Sequence, residues 1–371
     1  MYDNVRVTGL VLRKQHLVPL TFGSRQSDVL HIADDVCGLQ WDDVERENPD
    51  WALRNRFTDY KADWLESSIR DRTVIEFRLM RGCQYLVPSR ELPYYYAATR
   101  EVVKKTQYGN LKSKLSNQIG EKEQKVLGAL RRHAPATQSE LIRRSKVAKN
   151  EFRGALLNLD NLGYVFRVGW KGNQNLWHSA EEWLPEVDLR KVTREEGEEY
   201  LTVKFFKAAG PSTRQCLSQW TGWSIETANM NLDRLIKKGT LVKLNPTRPE
   251  SLIALPRDID ELGSYADRDS TVRFLSPFDP YLCMRGHLLW LGDFYPTSVG
   301  IYSMSIGGIV AAAFRVVRSK KLLSIAGSEV FQKSLLSSRS AEVRREIEMQ
   351  ATSTNRRAKL SPKVRALLQT I

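Results

Sequence analysis

"PATQSELIRRSKVAKNEFRGALLNLDNLG" (135–163) and "PSTRQCLSQWTGWSIETANMNLDRLIKKG" (211–239) are two copies of one pattern, offset by 76 residues. Pro135 aligns with Pro211, Thr137 with Thr213, Leu141 with Leu217, Leu156 with Leu232, Leu159 with Leu235 and Gly163 with Gly239, all without a gap. Self-similarity at a fixed period marks a repeated supersecondary unit. In the first copy Thr137 and Glu140 have the spacing of a capping box, and Phe152, Leu156, Leu159 and Leu162 form a helical stripe. Each closing glycine stands where a helix must give way to a strand, the place for a left-handed C-cap.

Outward from these copies, "EKEQKVLGALRRHAP" (121–135) puts Val126, Leu127 and Leu130 on one helical face and ends at a proline. "YVFRVGWKGNQNLWHS" (164–179) alternates and turns at Lys171-Gly172-Asn173, which predicts a β-hairpin. The second copy continues into "GTLVKLNPTRPESLIALP" (239–256), two strands around a proline-containing turn. Three helices followed by a hairpin is the layout of a winged helix. The chain therefore reads as α+β, with tandem winged-helix modules over 119–190 and 191–262. In that fold the third helix commonly enters the DNA major groove while the wing touches backbone. The first copy offers Arg143, Arg144, Lys149, Arg153 and, at the wing turn, Lys171; the second offers Arg234 and Lys237. A solvated basic face or a protein-docking role would use the same residues.

The flanks predict three more units. Residues 1–118 form an N-terminal, winged-helix-like unit, with a helix at "SRQSDVLHIADDV" (24–36), another at "LESSIRDRTVIEFRLMRG" (65–82) and a short strand "QYLVP" (84–88). The acidic stretch "EEWLPEVDLRKVTREEGEEY" (181–200) bridges the two modules. "VRFLSPFDPYL" (272–282), "HLLWLGDFY" (287–295) and "VGIYSMSIGGIVAAAFRVVR" (299–318) read as strands of a β-rich subdomain over 263–330. From Arg315 onward thirteen Lys/Arg face four Glu, a net of +9 out of the chain's +14. This predicts a basic C-terminal tail over 331–371, helical along a phosphate backbone or flexible.

Composition narrows the function classes. The length of 371 residues exceeds what one core usually supports, and a hydrophobic fraction of 42% belongs to a folded protein. The net positive charge favours a polyanionic partner, because Lys and Arg displace counterions from phosphates. The four cysteines (Cys37, Cys83, Cys216, Cys283) and five histidines are scattered, so neither a zinc cage nor a disulfide framework is expected. The N-terminal "MYDNVRVTGLVLRKQHLVPL" lacks the apolar core of a signal peptide, and "IGGIVAAAF" (306–314) is too short to span a bilayer. No heptad stripe supports dimerisation. The expectation is a monomer in the reducing cytoplasm, nucleoid-associated in a prokaryote, with no metal, cofactor or membrane span.

Four short motifs carry a resemblance. "RKQHLV" (13–18), "GLQWDDV" (38–44), "LMRGCQYLVP" (79–88) and "FLSPFDPYL" (274–282) occur in the order found in the AlkZ/YcaQ-like DNA glycosylase family. The chain resembles that family over most of residues 8 to about 320. The resemblance implies tandem winged helices and release of alkylated bases, including unhooking of interstrand crosslinks. It places Gln40 and Asp42 on the polar positions of a signature of Gln, an apolar residue, then Gln or Asp, with Trp41 between them. "LMRGCQYLVP" is similar to the family's RGT-x-H-LVP segment, with Cys83 for its Thr and Tyr85 for its His. DNA contacts at Arg13, Arg81 and Tyr85 follow from the resemblance, and the tail after about 330 lies outside it.

The chemistry fits the residues. An N7-alkylated purine is cationic and already a good leaving group. Hydrolysis then needs a held water and negative charge near the developing oxocarbenium ion. Asp42 can act as general base and electrostatic partner, and Gln40 can orient the water. In an extended segment residues 40 and 42 share one side and Trp41 points to the core, with Asp43 facing away. The other reading of Asp42-Asp43 is a helix cap. The sequence thus predicts a monofunctional DNA glycosylase acting on alkylated purines in double-stranded DNA; the alternative is a winged-helix regulator or non-catalytic DNA binder.

Overall fold

A six-stranded sheet stands at the centre of the computed structural model, built from three separated stretches of chain. The structure describes residues 4–18, 25–41, 47–108, 118–172, 174–244, 251–264, 271–286, 288–289 and 297–369. Asp42, Asn173, residues 245–250 and most of "HLLWLGDFY" lie outside them. The sheet contains β1 (Leu39–Trp41), β2 (Val74–Arg78), β3 (Gln84–Pro88), β4 (Ala136–Thr137), β5 (Val165–Lys171) and β6 (Gln174–Ser179). Their spatial order is β1-β3-β2-β5-β6-β4. β2 meets β5 at Glu76↔Arg167, where the two side chains form a buried ion pair at 3.1 Å. The stretches expected to be separate units over 1–118 and 119–190 therefore share one sheet. β2 lies within the helix expected over 65–82. The helix is Asp63–Arg70 and ends as Arg72 turns left-handed, after which Val74, Ile75 and Phe77 supply the β-branched and aromatic side chains that a sheet packs well.

The repeat is visible in the backbone. Helices Glu121–His133, Gln138–Ser145 and Lys149–Asn161 precede the β5–β6 hairpin; helices Arg194–Ala209, Arg214–Thr221 and Ile225–Lys237 precede β7 (Val242–Leu244) and β8 (Leu252–Ala254). The Thr137–Glu140 capping box is formed, and Gly163 and Gly239 adopt φ of +72° and +71°. Ala136 pairs with Trp177 in the first copy and Ser212 with Ile253 in the second. Both partners are displaced by the same 76 residues, which extends the gapless correspondence through the hairpins.

The copies pack differently. Val126, Leu130, Leu141, Phe152, Leu156 and Trp177 form a core of their own. Phe205, Leu217, Trp220, Leu232 and Leu235 instead join Phe77, Met80, Tyr85 and Tyr95 of the N-terminal region in one large cluster. The Arg194–Ala209 helix lies so tightly on Leu92–Tyr108 that a Cβ on Gly197 would come within 2.7 Å of the Tyr94 carbonyl oxygen.

A second, five-stranded sheet closes the fold: β9 (Val272–Leu275), β10 (Ile301–Ile306), β11 (Ile309–Arg318), β12 (Leu322–Val330) and β13 (Arg357–Leu360), in the order β13-β12-β11-β10-β9. Only the β12–β13 pairing is parallel among these. The stretch expected as a helical or flexible tail is an integral part of this layer. Helices Ser340–Ser353 and Pro362–Gln369 bury Val343, Ile347, Ala351, Val364 and Leu368 against Phe314, Leu323 and Ile325. The spacing of Val343, Ile347 and Ala351 puts them on one helical face, so the charged residues that dominate the stretch conceal an amphipathic element. "VRFLSPFDPYL" is half strand and half helix: after β9, Asp279 accepts a hydrogen bond from the Tyr281 backbone N–H at 3.0 Å and caps helix Pro280–Arg285. Asp279 also receives Arg56 through two bonds of 2.8 and 2.9 Å, with neither side chain exposed to solvent. Among the described residues no helix is long and apolar enough to cross a membrane.

Candidate active site

β1 begins at a tight corner. Helix Ser27–Asp35 ends, Cys37 and Gly38 take positive φ, and the chain drops onto β3. A Cβ on Gly38 would sit 2.8 Å from Val87 Cγ1 and 3.0 Å from the Leu86 carbonyl oxygen, so only glycine fits at that approach. The strand then alternates. Leu39 and Trp41 enter the cluster of Val29, Ile32, Ala52 and Leu53, with Trp41 edge-on to Trp170 at 5.9 Å. Gln40 faces the other way, in register with Tyr85.

Arg81 reaches the same point from the Met80–Gly82 turn, at φ +57°. Its guanidinium donates to Gln40 Oε1 and to the Tyr85 hydroxyl, the latter at 2.9 Å. The Tyr85 hydroxyl in turn donates to Gln40 Oε1 at 3.0 Å, and Cys283 Sγ lies 3.5 Å from the same oxygen. Burial pushes the Tyr85 phenol upward and the Cys283 thiol up to about 11, so both remain proton donors at neutral pH. Three donors converge on one amide oxygen, which fixes how the amide is turned. Its Nε2 end must address whatever stands opposite. Asp42, the residue after β1, is outside the described residues, so the geometry is that of Gln40 and its holders.

The cations expected at DNA separate into three groups. Arg81 and Tyr85 are drawn into the cluster around Gln40, with Tyr85 only 2% exposed. Arg143, Lys149 and Arg153 are exposed and, among the described residues, carry no ion pair. Four others are engaged: Arg144 with the His133 carbonyl oxygen at 3.4 Å, Lys171 with Glu140 at 3.1 Å, Arg13 with Glu261 at 3.9 Å, and Arg234 with Glu195 and, at 3.7 Å, Glu199. Lys237 is exposed.

Two residues of the site carried no signal in the sequence. Cys283 approaches Gln40 from 243 positions away. Gly222 allows the Arg81 turn to come close, since a Cβ there would lie 3.1 Å from Arg81 Cα and 2.8 Å from Val102 Cγ1. Lys204 sits in a separate charged cavity of about 520 Å³ and is held by Asp34 and Glu91. Burial works against its charge, but the acidic groups around it outweigh burial and raise its pKa. That is the reverse of an activated amine. Among the described residues no group of three or more His, Cys, Asp and Glu could hold a metal ion.

No functionally curated protein matches the chain. In a search of solved structures, the DNA glycosylase AlkZ of Streptomyces sahachiroi superposes with a TM-score of 0.71 at 18% identity, covering 97% of this chain and 100% of that one. At that identity the likeness speaks for the fold. The family described as DNA glycosylase AlkZ-like matches residues 33–350, so the match continues past the 320 expected from the short motifs and into the C-terminal helices. With most of its length matched, the chain belongs to the AlkZ-like family of DNA glycosylases.

Proposed function

We propose that the chain is a monofunctional glycosylase for N7-alkylated or bulky purines in double-stranded DNA, interstrand crosslinks included, with its hydrolytic water held between Gln40 and Asp42. It works as a monomer in the cytoplasm or on the nucleoid, gripping the duplex through tandem winged helices. The observation that carries this reading is the triple-donor hold on Gln40 Oε1. Gln40 is buried, and a hold on its oxygen from three donors leaves its N–H groups pointing in one fixed direction.

The chemistry follows from that direction. Gln40 Nε2–H donates to the water oxygen and Asp42 accepts a water proton, which leaves a lone pair aimed at C1′. The oxygen bonds to C1′ as the glycosidic C–N bond breaks, and its electron pair neutralises the cationic purine. The base leaves and an abasic sugar remains. The Asp42 carboxylate also offsets the oxocarbenium charge in the transition state.

The test is release of 7-methylguanine from methylated duplex DNA, with wild type, Asp42→Asn and Gln40→Ala compared in single turnover, and crosslinked duplex run in parallel on denaturing gels. Release is expected from wild type, lost with Asp42→Asn at unchanged DNA affinity, and slowed with Gln40→Ala by about 10²-fold, the scale of one oriented polar group. Equal rates for wild type and Asp42→Asn would remove Asp42 from the reaction. A wild type that binds duplex but releases neither base nor crosslink would leave a non-catalytic DNA binder.

A further inference from the structure

The five-stranded sheet is covered by helices on one face and only partly on the other. Register assigns the side chains. Leu323 and Ile325 enter the core beside Ala358 and Leu360, so Leu322 and Ser324 share the opposite face with Arg357 and Lys359. Ser324 pairs across to Val317 in β11, and Arg315, two residues earlier in that strand, lies on the same face. Toward β9 this face is closed by helix Asn4–Lys14, whose Val7, Leu10 and Val11 pack against Val310, Ala313 and Leu275. Beyond Ala313 it is open: Val317 is 55% exposed, and Arg315, Arg357 and Lys359 are exposed. The β11–β12 turn adds Lys320 and Lys321 at the rim.

None of these five cations makes an ion pair among the described residues. Nearby Arg318 and Arg356 do, both with Glu47 at 3.6 and 2.6 Å. On the strands themselves the acidic side chain of this face is Glu329, at the far end of β12 opposite Ala313. Like charges left unpaired on one surface repel in the free protein, and the repulsion is relieved when counter-charge arrives. Between the cationic strands β12 carries Ser324, Ala326 and Gly327, a low ridge that lets a bulky backbone approach. Among the described residues no aromatic side chain stands there to stack bases, which favours duplex over single strand.

We propose that this open sheet face is a second duplex contact, holding phosphates of the DNA away from the lesion. It rests on the family's action on DNA and is independent of the roles given to Gln40 and Asp42. With it, the duplex is held from the first repeat and from the C-terminal sheet at once.

The experiment uses the full chain with Arg315→Gln, Arg357→Gln and Lys359→Gln combined. Affinity for undamaged duplex is measured against salt concentration, beside a control with Lys363→Gln and Arg365→Gln on the helix that covers the opposite face. The triple variant should lose about 2.7 from the slope of log affinity against log salt, three phosphate contacts' worth, while the control keeps it. Single-turnover 7-methylguanine release at saturating enzyme should match wild type, so that failure of the catalytic reading shows separately. An unchanged slope in the triple variant, or an equal loss in the control, would overturn the proposal.

Discussion

At the 76-residue offset Arg143, Arg144, Lys146, Lys149 and Arg153 of the first repeat correspond to Gln219, Trp220, Gly222, Ile225 and Asn229 of the second. The backbones agree down to the helix C-caps, where Lys146 and Gly222 take φ of +56° and +80°. Each of these five cations is matched by a neutral residue in the second repeat, although Arg131 and Arg167 of the first align with Lys207 and Lys243. Trp220 is buried in the central cluster, and Gly222 touches the turn that carries Arg81. Of the cations at the end of the second repeat's third helix, Arg234 and Lys238 pair with Glu195 and Glu199 of its own first helix, while Lys237 stays exposed. One repeat leaves Arg143, Lys146, Lys149 and Arg153 exposed at its surface; the other has been absorbed as the wall behind the candidate active site. A shared fold fixes the backbone and leaves the use of each face open.

The strongest way to break this contrast is at the matched C-caps. Gly222→Ala places a methyl against Arg81 and Val102 in a left-handed conformation, and should cost about 2–3 kcal/mol with base release falling in parallel. Gly239→Ala, in the same repeat and at φ +71° but with nothing within 4 Å, should cost only about 1 kcal/mol, the left-handed term alone, and leave activity intact. Chemical denaturation and single-turnover release measure both. Equal losses at the two glycines would mean that the second repeat does not support Arg81.

Next in size is an exchange of surfaces. Arg143→Gln, Lys149→Ile and Arg153→Asn give the first repeat the side chains of the second, and should reduce the salt slope of duplex binding by about 2–3, with little change in stability. Arg234→Ala should barely move the slope, because its charge is already spent on Glu195 and Glu199. Titrations by fluorescence anisotropy at several salt concentrations decide it. A larger effect from Arg234→Ala than from the triple exchange would invert the assignment.

The sequence showed what the two repeats have in common and not what separates them. Leu141 and Leu217 are fully buried and equally legible as stripe positions, yet one packs within its own module and the other against residues from the N-terminal region. The difference lies in partners far along the chain, and helical periodicity is blind to them. Gln40 was legible from a short motif. Its holders were not, since Arg81 and Cys283 stand 41 and 243 positions away. Arg81 was expected at DNA from the resemblance, and its motif gives no sign that its guanidinium also bonds Gln40 and Tyr85. The tail was read from its charge, which sits on the outward side of helices whose inward side is apolar.

The smallest expected effect concerns the N-caps of the matched second helices. Thr137 and Thr213 both accept a bond from the backbone N–H three residues on, but that residue is Glu140 in the first repeat and Cys216 in the second. Bonds from Thr137 and from Lys171 hold the Glu140 carboxyl down at about 2, below its ordinary value of 4.5. A carboxyl depressed in the folded state stabilises above its unfolded pKa, and that contribution is lost as pH falls toward the folded one. Helix Gln138–Ser145 should therefore lose amide-exchange protection between about pH 4.5 and 2 while Arg214–Thr221, capped without an acid, keeps its own over the same window. Glu140→Gln should flatten the pH dependence of the first helix without touching the second. Parallel loss in both helices would trace the effect to global acid unfolding and not to the box. Because Lys171 at the end of β5 shares the same carboxyl, loosening the box also frees a cation of the first repeat, so acid would weaken the fold of that repeat and expose more of its charge in one step.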